Sequence, residues 1–497
     1  MTFLDPLRLT RSQRPEAAAV VGLPTPEAPK PPVWTYAELD DWVDRVSRAL
    51  QTVGIGPGDR VGMRLPPCPE AVVLLHAVHR IGATLLPLHP GWTDAEVARG
   101  IAVVGPPALL VSRVGELLEW DGEGPPSTHE PADPFPTPEG GHSAPLAILL
   151  TSGTTGAPRP IPITHRNLVA SARGAAERLD LAPEDRWLTS LSPAHIGGLA
   201  LLHRAAFVGS SLLTRPRFDA EELSVLLDQG EVTHLSLVPV MLQRLLEYRG
   251  GTPAPSGLRC ILLGGDGVRE ELLDEALALN YPVALTYGLT ESTSQAATAD
   301  PERVRRRGMT VGLPLPGVEL RIEGPDPEGR GEILLRGETV VSGIPILDGD
   351  RSSAHPSTYL SPSGWLHTGD LGRLDEEGDL HILGRLTDRM VTAGVTVEPA
   401  EVERVLARHP AVREVAIVGV PDPEWGERLL AVVVPVDPQA PPTLQSLLDF
   451  SRERLAPAKR PRDLHLVSAL PHTGNGKLDR RALRADPRAD SGVQGAG

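Results

Sequence analysis

Apolar residues recur along this chain with two different periods, and the changes from one to the other outline its elements. Leu39, Trp42, Val43, Val46 and Leu50 repeat at helical spacing behind Thr35 and Glu38. That pairing of a hydroxyl with an acid three residues on predicts a capped amphipathic helix, stopping at Gly54. Val61, Met63 and Leu65 alternate as in a strand, and Val72, Leu75, Ala77 and Val78 return to helical spacing. LLVS at 109–112 predicts a strand, the Pro-, Gly- and acid-rich stretch Asp121–His142 a surface loop, and LAILL at 146–150 a short buried strand. In the middle third, THLSLV (233–238), CILL (260–263) and VALTY (283–287) alternate with helical stretches, the rhythm of a parallel sheet covered by helices.

From Val318 the pattern shortens to strands (VELRIE, GEILLR, DLHIL) separated by glycine-containing turns. After Leu386 it changes again: a helix (PAEVERVLARH), two strands, a helix near Leu444–Leu455 and a last strand (DLHLV) form a small α+β unit. The expected fold is α/β: a large N-terminal domain (1–385) of packed α/β sheets with a small β-barrel-like part, then a small mobile α+β domain (386–497). The boundary falls at Leu386–Thr387, and a disordered tail is expected from Asp486.

Composition narrows the function. A chain of 497 residues requires more than one core. The net charge of −16 argues against a nucleic-acid surface and requires that any anionic substrate be met by local cations or N–H groups. The longest apolar run, near Ala71–Leu88, is interrupted by His76, His79 and Arg80, so no membrane span is expected. The first residues lack a secretory pattern. Cys68 and Cys260 have no zinc-like spacing and suit a reducing cytoplasm. Of the 48 basic residues only Lys30, Lys459 and Lys477 are lysines.

TSGTTGAPRP (151–160), directly after the strand LAILL, carries the sharpest chemistry. Gly153 and Gly156 permit close backbone approach, Thr151, Ser152, Thr154 and Thr155 supply hydroxyls, and successive N–H groups can cradle an anion. A phosphate-binding loop follows. It lacks the GK[ST] ending of a Walker loop and the G-x-G-x-x-G of a dinucleotide fold.

This loop resembles the signature of the adenylate-forming superfamily of acyl-CoA synthetases, peptide-synthetase adenylation domains and beetle luciferases. Arg159 stands where that family has lysine and Pro160 where it has glycine. Further motifs follow in the family's order: GGDG (264–267), YGLTE (287–291), HTGDLG (367–372), GRLTD (384–388) and PHTGNGKLDRR (471–481). The resemblance implies ATP, Mg²⁺ and coenzyme A. It implies Gly264 and Gly265 on the adenine side, Tyr287 and Gly288 beside the ring, Thr290 on phosphate and Glu291 on Mg²⁺. It further implies Asp370 on the ribose hydroxyls, Arg385 on ribose and phosphates, and a hinge at Thr387.

Lys477 matches the family's catalytic lysine. A carboxylate attacking an α-phosphate brings two anions together, and an ammonium between them stabilises that transition state. A lysine kept at this position in a chain so dominated by arginine is informative in itself. His195, in SPAHIGGLALL, matches the histidine that gates the acyl pocket, with Ala194 where an aromatic residue is common. Thr392-Ala393-Gly394 stands where members with a thiol step often have S-G-G.

Within the superfamily, HIGGLALL, HLSLVPVMLQRLL and LRCILLGGDGV with YGLTESTSQ most resemble the o-succinylbenzoate–CoA ligases of menaquinone biosynthesis. Their acid has a second carboxylate, for which His203 and Arg204 are the candidate partners. Alternatives are a medium-chain fatty or aryl acid–CoA ligase, a stand-alone amino-acid adenylating domain, or a non-catalytic nucleotide-binding relative. The resemblance also allows a homodimer.

Overall fold

The computed structural model describes residues 5–22, 33–112, 145–152, 158–342, 359–392, 395–422, 425–472 and 478–486. The loop expected at Asp121–His142, and the tail beyond Asp486, lie outside them. The chain divides into two compact units. One comprises Met1–Arg321, Leu334–His367 and Gly378–Leu380; the other comprises Ile322–Ile333, Thr368–Glu377 and His381–Gly497. The boundary expected at Leu386–Thr387 therefore falls inside the second unit.

Two sheets organise the first unit. The larger has nine strands, and its parallel centre runs Val283–Leu289, Cys260–Leu263, His234–Leu237, Arg186–Thr189, Ser211–Thr214, Ala18–Val21. These strands are largely apolar because helices bury both their faces: Cys260–Leu263, Ser211–Thr214 and His234–Leu237 are buried at every position. Antiparallel strands close the edges, Ser294–Ala299 with Leu313–Pro314 at one end and Val33–Thr35 at the other. The second sheet runs Leu109–Val111, Arg60–Met63, Thr84–Pro87, Pro145–Ser152, Pro158–Thr164. The capped helix expected after Thr35 is Tyr36–Thr52, with both capping-box bonds made and Gly54 left-handed at its end.

The interrupted apolar run behaves differently from its appearance in the sequence. His76, His79 and Arg80 are buried along helix Pro69–Arg80. Arg80 is held by Asp5 at 2.8 Å and Asp44 at 2.6 Å, with Asp40 also in contact. Pairing on this scale keeps a buried guanidinium tolerable. Among the described residues, no helix is long and apolar enough to cross a membrane.

In the second unit, Val412–Asp422 and Gly426–Pro435 form a long antiparallel pair, extended by Met390–Thr392, Val395–Val397 and Asp463–Leu466. Alternate residues of the run LLAVVV face two cores. Leu429, Ala431 and Val433 pack with Val402, Leu406 and Leu447, while Leu430, Val432 and Val434 pack with Val467, Leu470 and Leu483. Helices Pro399–Leu406 and Leu444–Ser451 therefore lie on one face and Arg480–Ala485 on the other.

Candidate active site

The phosphate-loop motif lies at a hairpin. Strands Pro145–Ser152 and Pro158–Thr164 pair antiparallel with Ser152 opposite Pro158 and Thr151 opposite Arg159, and the Thr151 hydroxyl donates to the Arg159 carbonyl at 3.3 Å. Gly153, Thr154, Thr155 and Gly156 fall outside the described residues. Pro160 sits opposite Leu150 in the second strand, which is the edge of its sheet, where proline is tolerated. From this strand Arg159 reaches Glu291, and its Nη2 donates to the Glu291 carboxylate.

Glu291 is buried in a 3₁₀ turn, Thr290–Ser292, at the end of strand Val283–Leu289. The next two residues are backbone outliers: Thr293 has φ +53° and Ser294 +81°. A β-branched residue at positive φ is strained and persists only where neighbours over-determine it. Here the Ser171 hydroxyl donates to the Thr293 carbonyl and the Thr293 hydroxyl to the Thr339 carbonyl, each at 2.7 Å. The Glu291 carbonyl accepts from the Val341 N–H at 3.0 Å.

Beside this turn, Tyr287 is buried and Gly288 forms a bulge, where a Cβ would lie 1.6 Å from the Ser294 carbonyl oxygen. Gly264, at the end of the neighbouring strand, would drive a Cβ to 2.6 Å from the Thr286 methyl, and Gly265 has φ +88°. Glycine is thus required at 264 and 288 by close neighbours and at 265 by positive φ, at the carboxyl ends of parallel strands, where open α/β sheets bind ligands.

His195 caps helix Ile196–Val208. Its N–H donates to the Ser192 carbonyl and its carbonyl accepts from Leu199, both at 3.0 Å, and its ring stands 5.6 Å from that of His89. His89 carried no recognisable signal in the sequence, because the contact joins two segments distant along the chain.

The two candidates for a second substrate carboxylate point different ways. His203 is buried against His165, ring centroids 5.6 Å apart, with neither ring nitrogen hydrogen-bonded among the described residues; burial and the neighbouring histidines His165, His76 and His79 hold it neutral, well below its usual pKa. Arg204 faces the central sheet, its guanidinium 5.5 Å over the Trp187 ring. Burial lowers its pKa to about 10, so it stays charged at neutral pH. Among the described residues no carboxylate pairs with it.

In the second unit, Asp370 is buried and its Oδ1 receives the Arg385 Nε at 3.0 Å, while its N–H donates to the Thr368 hydroxyl at 3.1 Å. Thr387 lies in the turn Leu386–Asp388. Lys477, Ala393 and Gly394 fall outside the described residues, although the base of the Lys477 segment is closed by an antiparallel bridge between His472 and Leu478.

The model of the AMP-binding enzyme family matches residues 7–344, and that of the AMP-binding enzyme C-terminal domain matches 401–477. A 2-succinylbenzoate–CoA ligase of Bacillus cereus is 34% identical over 465 residues, covering 90% of this chain and 93% of that protein. The o-succinylbenzoate CoA synthetase of Bacillus subtilis, solved with its acyl-adenylate intermediate, is 30% identical with a TM-score of 0.83, covering 96% of this chain and 97% of the other. ATP-bound MatB of Rhodopseudomonas palustris is 26% identical with a TM-score of 0.83, covering 98% and 99%.

Proposed function

The chain belongs to the AMP-binding enzyme family, and from that premise we propose that it activates o-succinylbenzoate as an acyl-adenylate and passes the acyl group to coenzyme A. In the first step a carboxylate oxygen attacks the α-phosphorus of ATP and pyrophosphate leaves. In the second the thiol sulfur of coenzyme A attacks the acyl carbon, AMP leaves, and the thiol proton is lost.

The chain's own residues divide this work. The Thr151–Arg159 hairpin receives the phosphates, with the Arg159 guanidinium as cation. Tyr287 and the Gly264–Gly265 turn bound the adenine, Thr290 meets phosphate, and Asp370 with Arg385 holds the ribose. One buried carboxylate, Glu291, fits Mg²⁺, which keeps several waters and phosphate oxygens and needs only one or two protein carboxylates. When bound, the ion neutralises phosphate charge. Lys477 places an ammonium between acid and α-phosphate, the hinge at Thr387 withdraws it for the thiol step, and His195 gates the acid.

Arg204 is the observation that carries the choice of acid. A guanidinium removed from water and, among the described residues, paired with no carboxylate is costly unless a ligand supplies one. A dicarboxylic aryl acid supplies it; a fatty acid would place methylenes there. The curated relatives named as 2-succinylbenzoate–CoA ligases support the same reading. Both co-substrates are abundant in cytoplasm, which supports that location.

The deciding experiment is acid-dependent exchange of pyrophosphate into ATP with a panel of acids, followed by mass spectrometry with and without coenzyme A. We expect exchange and a thioester product with o-succinylbenzoate. Exchange with a fatty acid alone would remove the substrate assignment, and exchange with no acid would remove the activity.

A further inference from the structure

We propose that His89 is a positioning residue for His195, setting one limit of the swing of its ring. The proposal rests on the reading of His195 as the residue that gates the acid.

His89 lies in the turn PLHPGWT (87–93), just past strand Thr84–Pro87. That strand runs parallel to Pro145–Ser152, with Leu85 opposite Ala147, so His89 leaves the sheet at the same edge as the phosphate hairpin. The turn is closed twice. The Trp92 N–H donates to the His89 carbonyl at 3.0 Å, and the Gly91 N–H donates to His89 Nδ1 at 3.1 Å. An accepting Nδ1 leaves the proton of the neutral ring on Nε2. Burial also favours the neutral ring, lowering the His89 pKa, with Glu96 opposing.

Residue 91 must be small for this geometry. A Cβ there would lie 3.2 Å from His89 Nδ1 and 3.3 Å from Cε1. The His195 backbone is held by its bonds to Ser192 and Leu199, and the turn is close-packed: a Cβ at Gly198 would come within 2.3 Å of the Ser192 carbonyl oxygen. Only the side-chain torsions of His195 remain adjustable. The His89 ring, 5.6 Å away and tilted by 43°, occupies one of the directions they could take.

The test is a double-mutant cycle on the full-length enzyme with His89→Ala, His195→Ala and the pair, measured by pyrophosphate exchange. His89→Ala should raise KM for the acid about tenfold and leave KM for ATP within about twofold. In the His195→Ala background the same change should alter KM for the acid by less than about twofold. His89→Gln, which keeps a planar side chain of similar reach, should recover most of the loss. Additive losses, or an equal rise in KM for ATP, would overturn the proposal. A readout independent of activity is the ring Cε1–H resonance of His195 in NMR spectra. It should move in His89→Ala and in Gly91→Ala, which displaces the ring without removing it. An unmoved resonance in both sinks the idea whatever acid the enzyme takes. A wild-type enzyme that activates no acid, with the resonance moved, removes the functional reading and keeps the contact.

Discussion

Arg159 donates a hydrogen bond to Glu291, joining the cation of the phosphate hairpin to the carboxylate proposed for Mg²⁺. The family's usual lysine would bring a point charge to the hairpin; the guanidinium brings a planar fork that engages a carboxylate well. In the structure the two charges pair with each other, and on the proposed reading ATP with Mg²⁺ would exchange this pair for phosphate on one side and metal on the other.

Glu291→Gln should therefore lower pyrophosphate exchange on the order of 10²-fold and raise the Mg²⁺ concentration needed for half-maximal rate. Arg159→Met should act mainly on KM for ATP. Magnesium titrations of the exchange rate check both. An unaltered Mg²⁺ requirement in Glu291→Gln would remove that carboxylate from the metal site.

Lys477 should separate the two half-reactions. On the proposed reading its ammonium is needed only where acid and α-phosphate meet, so Lys477→Ala should lower adenylation by roughly 10²-fold or more. Thioester formation from added acyl-adenylate should stay within a few-fold of wild type. Single-turnover measurements of each step test this, and equal losses in both would argue for a general structural role.

What was legible in the sequence is what depends on local pattern. The parallel strands announced themselves as short apolar runs, and the glycines at 264, 265 and 288 were conspicuous in their motifs. What was not legible depends on partners far apart along the chain. His76, His79 and Arg80 looked like interruptions in an apolar run, because their burial is made possible by Asp5, Asp40, Asp44 and the histidines of other helices. The contact of His89 with His195 was invisible for the same reason. Likewise His203 and Arg204 are sequence neighbours, yet the helix turns them about 100° apart, and only the structure tells which faces the sheet.

The buried histidines predict loss of stability in acid. Burial, reinforced by Arg80, lowers the pKa of His76 to about 4, with Asp5 and Asp40 opposing. The unfolded chain binds this proton near pH 6.5 and the folded chain only near pH 4, so between those values unfolding takes up a proton. Stability from this group is complete above about pH 6.5 and falls as pH drops towards 4. It is worth on the order of 3 kcal/mol, at about 1.4 kcal/mol per tenfold change in proton affinity. Urea midpoints at a series of pH values should fall across this window in wild type and less steeply in His76→Leu. Parallel curves for the two would show that His76 is not the titrating group.

Arg204 offers the sharpest test of the substrate. It stands nine residues along the helix from His195, about 13 Å at 1.5 Å per residue, so an acid whose reacting carboxylate lies near His195 meets Arg204 only with its far end. The two ends of o-succinylbenzoate are chemically distinct, and the ring carboxylate is the one that would pair with the guanidinium. Arg204→Met keeps much of the side chain's length and removes the charge, so KM for o-succinylbenzoate should rise about 10²-fold while KM for ATP holds. The analogue lacking the ring carboxylate, 4-oxo-4-phenylbutanoate, should be a poor substrate of the wild type and should lose little further in the variant. Because a buried ion pair is felt mainly when one partner is left alone, the ratio of kcat/KM for the two acids is the quantity to compare. That ratio should collapse towards unity in Arg204→Met. If both acids lose equally, Arg204 supports the sheet through its contact with Trp187, and the second carboxylate is held elsewhere.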